Sequence, residues 1–122
     1  MLADEFDELL EKRIEKTRKL LCSKGREYAS DLDRLHNFKV AGRIADCSSE
    51  KALFGFLLKH LVSILDLVEG RQVLSIDIVD EKIGDAINYL ILLEGLWTEN
   101  IKKSTSQAVR MGLWDDKTKD HA

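Results

Sequence analysis

The sequence predicts an all-α protein with a four-helix bundle-like core and a weaker short fifth helix near the C-terminus. Three observations carry that expectation. The 122 residues include no proline and only seven scattered glycines, so long helices can run unbroken. Hydrophobic residues (44%) and charged residues (34%) sort into helical stripes rather than strand-like alternation. The one strand-like run, "RQVLSIDIVD", has no partner strand elsewhere and reads as a loop entering a helix. The length suits one domain, here residues 1–112 with a frayed tail over 113–122.

The first helix is expected over about Asp4 to Ser23, with Phe6, Leu9, Leu10, Ile14, Thr17, Leu20 and Leu21 on one side. Gly25 stands where a C-cap is expected, although Glu27 and Tyr28 could extend the helix beyond it. Ser30 or Asp31 then caps a short second helix through about Ala45, with Leu35, Phe38 and Ala41 pointing inward. Ser48 or Ser49 caps the third, about Glu50 to Glu69, which is apolar almost all the way round and therefore expected at the centre. Gly70 ends it. The fourth helix starts at Asp77 or Asp80 and runs to Glu99, burying Val79, Ile83, Ala86, Ile87, Leu90, Ile91 and Trp97. Ile101 to Met111 forms the weaker fifth helix.

Composition narrows the function. A net charge of −3 and a pI near 5.6 give no basic field for nucleic acid, while a few local cations plus a metal can still hold a free nucleotide. The acidic start "MLADEFDELLEK" is unlike a secretory signal, and no apolar run reaches membrane-spanning length. Cys22 and Cys47 lack CxxC or metal-ligand spacing, so they read as reduced thiols of a cytoplasmic protein.

The polar residues inside apolar helices are the places for chemistry. In "EKIGDAINYL", Glu81, Asp85 and Asn88 fall within about 60° of one another on the fourth helix. On the third, Lys59, Ser63 and Asp66 share a face, with His60 about 60° from Ser63. Two such stripes are expected to face each other, because a buried unpaired charge costs several kcal/mol. The pairing has a plain structural reading, in which Lys59 meets Asp85 or Glu81 as an ion pair that fixes register. It also has a chemical reading, in which the carboxylates hold a hard cation such as Mg²⁺ or Mn²⁺. The stretch Lys24–Phe38 gathers bases, acids, aromatics and the amide of Asn37. Lys24 or Arg34 suits a phosphate, and Tyr28 or Phe38 suits stacking on a base, although both aromatics also serve as core anchors.

The blocks "KGREYASDLDRLHNFKVAG", "KHLVSILD" and "DEKIGDAINYL", in that order over about Lys24–Leu93, resemble the phage and prophage nucleotide modification associated domain 1. The last block also resembles the "EE(I/L)GDxLNYL" helix of the all-α, MazG-like nucleoside triphosphate pyrophosphohydrolases. That resemblance implies a homodimeric or homotetrameric helical bundle performing Mg²⁺-dependent hydrolysis of a free nucleotide to monophosphate and pyrophosphate. It implies metal ligands at Glu81 and Asp85, and a third ligand or water-activating base at Glu27 or His60. Lys59, Arg34 and Asn88 would hold phosphate or sugar. The chain departs from the family where Lys82 stands in place of a glutamate, and where Lys59, His60 and Ser63 replace a glutamate triad. Those departures keep a non-catalytic module that binds a nucleotide or a partner protein as the alternative, and a purely structural bundle as a third reading.

Overall fold

The structure is a computed structural model that describes residues 1–24 and 33–113. Among the described residues it holds four α-helices: α1 (Ala3–Lys19), α2 (His36–Ala45), α3 (Ser49–Val68) and α4 (Ile76–Arg110). No strand forms among the described residues, as the all-α expectation requires. A π-helical turn, Leu20–Lys24, extends α1.

Local chemistry sets most of the boundaries. The Ser48 hydroxyl accepts from the Lys51 N–H at 3.1 Å and starts α3. Ser75 does the same for Ile78 at 3.1 Å, so α4 begins one residue before the earliest predicted start. The predicted fifth helix has no separate existence. Nothing in "EGLWTENIKKSTSQ" breaks the backbone ladder, and α4 continues for 35 residues, about 50 Å. α2 starts later than predicted, after Leu35, and ends in a tight left-handed turn at Asp46 (φ 55°). There the Cys47 N–H bonds back to the Gly42 carbonyl at 2.9 Å. A Cβ on Gly42 would sit 2.8 Å from the Cys47 carbonyl oxygen, so the turn needs glycine at this place.

α3 packs against both α2 and α4, and α2 also reaches α4 through Phe38 and Tyr89. α3 is less enclosed than its composition predicts, with Phe54, Leu58, Leu61, Leu65 and Val68 exposed. α3 and α4 run antiparallel: Asn100 donates to Glu50 at one end, and His60 faces Asp85 further along. The core is Leu53, Leu93 and Leu96, covered by Leu35, Phe38, Tyr89 and Leu92. Phe38, Phe56 and Tyr89 form a ring cluster with centroids 6.2 to 6.5 Å apart. Phe38 is thus a core anchor.

Two expectations about burial fail. α1 buries none of its residues; Phe6, Leu9, Leu10 and Ile14 are 40–56% exposed, because among the described residues α4 is the helix it chiefly packs against. On α4, the predicted inward residues Val79, Ile83, Leu90, Ile91 and Trp97 are exposed, and Ala86 alone of the predicted set is buried. The true inward residues are Gly84, Asn88, Leu93 and Leu96. Both failures have one cause: among the described residues, nothing covers these apolar faces of α1 and α4. Among the described residues, no helix is long and apolar enough to cross a membrane.

Candidate functional site

The predicted polar line of α4 lies along a cleft between α4 and α1. A pocket of about 170 Å³ there is lined by Arg13, Lys16, Thr17, Asp80, Glu81, Asp85 and Asn88, with Leu20 and Gly84 completing it. α1 is held to α4 at this cleft by charge. Arg13 pairs with the Asp80 carboxylate and donates to the Asp80 carbonyl at 3.1 Å, and Lys16 reaches the same carboxylate at 3.0 Å. The Lys16 hydrogen bond, aided by the Arg13 charge, holds the Asp80 carboxyl below its usual range. Gly84 leaves room for the guanidinium, since a Cβ there would lie 2.6 Å from Arg13 Nη1.

The facing stripes meet through one residue. His60 Nδ1 lies 3.5 Å from Asp85 Oδ2, and the imidazole stacks on Tyr89 with centroids 4.9 Å apart. The remainder of the α3 stripe points elsewhere. Ser63 bonds its own helix at the Lys59 carbonyl, Asp66 lies 3.9 Å from Arg71, and Lys59 is exposed. Among the described residues no ion pair joins Lys59 to Glu81 or Asp85, so the plain register-fixing pair is not formed. The cause is angular: Lys59 is about 100° from His60, so the two cannot face the same neighbour.

The remaining predicted residues are dispersed. Glu81 is largely exposed at the pocket rim, with Lys82 4.0 Å away. Asn88 is buried, and its Oδ1 makes no hydrogen bond among the described residues. The Thr17 hydroxyl beside it is also buried without one. Arg34 turns toward the end of α1 and donates to the Leu21 carbonyl, so its guanidinium is partly engaged in holding the chain. Asn37 is exposed on α2. Lys24 closes the π-helical turn. Glu27 and Tyr28 lie outside the described residues.

Sequence reasoning missed Arg13, Lys16 and Thr17. A signal for Arg13 was present: it sits within the apolar stripe of α1, about 20–60° from Phe6, Leu10 and Thr17, where a charge needs a partner.

The donor set decides what the cleft can hold. Glu81, Asp85 and the unpaired Asn88 carbonyl are hard oxygen donors, and a volume near 170 Å³ leaves room for several waters beside them. That suits Mg²⁺, which keeps several waters and uses one or two carboxylates plus substrate phosphate. It does not suit an all-protein cage: among the described residues, no three His, Cys, Asp or Glu side chains group as metal ligands. No protein-family model, curated protein or solved structure matches the chain.

Proposed function

We propose that this chain is a nucleotide-handling protein of the MazG-like pyrophosphohydrolase type, acting on a free (d)NTP in the cytoplasm, in phage nucleotide metabolism or modification, as a homodimer or homotetramer. The supporting observation is the α1–α4 cleft. Asp85, Glu81 and an unsatisfied Asn88 carbonyl line one small polar pocket, and a histidine from the neighbouring helix faces the central carboxylate.

In this reading Glu81 and Asp85 hold Mg²⁺ or Mn²⁺, which supplies charge neutralisation for the phosphates when bound. His60, oriented by Asp85 and by stacking on Tyr89, takes a proton from the attacking water as the bond between the α-phosphorus and its bridging oxygen breaks. The pocket is too small for a whole nucleotide, so base and sugar extend outward past the rim. Pyrophosphate release from a (d)NTP panel with Mg²⁺ or Mn²⁺ tests this. Turnover lost in both Asp85→Asn and His60→Ala is expected; no turnover on any nucleotide removes the catalytic reading.

Binding without cleavage is the second reading, and a specific feature favours it. Lys82 lies 4.0 Å from Glu81 and already partners a carboxylate that catalysis would need for the metal. A nucleotide-dependent rise in melting temperature with no product would select it.

A further inference from the structure

The α3–α4 hairpin carries one apolar face that the described residues leave open. On α3, Phe54, Leu58, Leu61, Leu65 and Val68 follow one another at steps of four, three, four and three residues. That is the spacing of a coiled-coil seam, and these side chains are 40–77% exposed. On α4, Ile83, Leu90 and Trp97 recur every seven residues and are 38–55% exposed.

Helix geometry places both seams on the same side. α3 meets α4 through Leu53 and His60, and α4 answers with Asp85, Tyr89 and Leu93. Each seam stands roughly 100° round its own helix from those contacts. Because the helices are antiparallel, the two turns carry both seams to one face. The opposite face is covered: Phe38 of α2 rests on Phe56 and Tyr89, and Arg13 of α1 reaches Gly84.

We propose that this open face docks the same face of a second copy, completing a four-helix core from two α3–α4 hairpins. Area argues for that occupant. A half-exposed leucine or phenylalanine leaves on the order of 100 Å² open, so the eight seam side chains supply about 800 Å² per copy and about 1,600 Å² per pair. That is the usual size of a specific, stable interface. A patch of this size exceeds what monomers usually leave in water, and a two-fold axis lets one self-complementary surface cover itself. The inference deepens the homo-oligomer part of the proposed function by assigning its surface. The polar line of α4 lies about 180° from its seam, so the pocket stays open to solvent in the pair.

Light scattering on the full chain at tens of micromolar should give at least twice the 13.9 kDa chain mass. Leu61→Lys and Leu90→Lys, each at the seam, should halve that mass with circular dichroism unchanged, whereas Leu9→Lys on α1 should leave the seam pair intact. A second readout covers variants that lose helicity: in a Trp114→Phe chain, Trp97 emission should shift to the red on dilution as its face becomes wet. A wild-type mass of one chain with no dilution shift overturns the proposal. So does an unchanged mass in both seam variants, or a monomer that binds anionic phosphatidylserine vesicles through Trp97. None of these outcomes bears on pyrophosphate release, so failure here is distinguishable from failure of the catalytic reading.

Discussion

Replacing Lys39 by methionine isolates the charge cluster that ties α2 to the middle of α4. Lys39 Nζ lies 2.7 Å from Asp33 Oδ2 and 2.7 Å from Glu99 Oε1, and all three side chains are 27–32% exposed. The Asp33 hydrogen bond, then that of Glu99, raises the Lys39 ammonium above its usual range. Lys39 likewise lowers both acids, Asp33 with help from the Leu35 N–H and Glu99 with help from Lys103. A charged hydrogen bond contributes about 1.5–3 kcal/mol when buried, and an exposed pair about 0–1. With water reaching roughly a third of each group and Glu99 keeping Lys103, about 1–2 kcal/mol is expected for Lys39→Met at pH 7. In a chain of this length that corresponds to a fall in Tm of roughly 3–8 °C. The sign of the pH dependence follows from the directions. Two carboxyls depressed in the folded state stabilise it fully above their unfolded values of 3.8 and 4.5. That stabilisation fades as pH falls through the lower folded values. The ammonium, raised above 10.5, contributes until pH climbs through its folded value. Urea titrations of wild type and Lys39→Met at pH 7, 5 and 3 should give a gap that is flat from 7 to 5 and narrower at 3. A gap below about 0.3 kcal/mol at pH 7, or one undiminished at pH 3, refutes the reasoning.

Gly42→Ala should cost about 1–3 kcal/mol by urea unfolding, because its Cβ would meet the backbone of Cys47, Ser48 and Ser49 at 2.8–3.1 Å and none of those atoms can swing away. Gly84→Ala meets only the flexible end of Arg13, so global stability should fall by less than about 1 kcal/mol. Amide exchange in α1 should nonetheless quicken while that of α3 stays slow. In the wild type, α1 should also loosen as pH falls below 3.8, where the depressed Asp80 carboxyl takes up its proton and releases Lys16 and Arg13. Leu53→Ala, at a fully buried position, should cost about 2–5 kcal/mol by urea unfolding.

Much of the fold was written locally. Ser48 and Ser75 announce α3 and α4 because a hydroxyl before a helix satisfies a backbone N–H that nothing else reaches. The apolar run of α3, with no proline to interrupt it, fixes a helix, but not its cover: Phe54, Leu58, Leu61, Leu65 and Val68 stay exposed. The 60° grouping of Glu81, Asp85 and Asn88 follows from helix geometry alone, and the cleft beside it is where those residues must look. Composition, however, cannot say how many neighbours a helix acquires. Ile83, Leu90 and Trp97 are as apolar as Leu93 and Leu96, and only the direction from which α3 arrives leaves the first three in water and seals the last two. Likewise, which member of the α3 polar stripe meets Asp85 depends on a rotation of about 100°, and that rotation is set by Leu53 seating against Leu93 and Leu96. Arg13 and Asp80 stand 67 positions apart in the chain, and only tertiary packing could show that one answers the other. Spacing along a helix is fixed by the backbone; the partner across a cleft is chosen by the core.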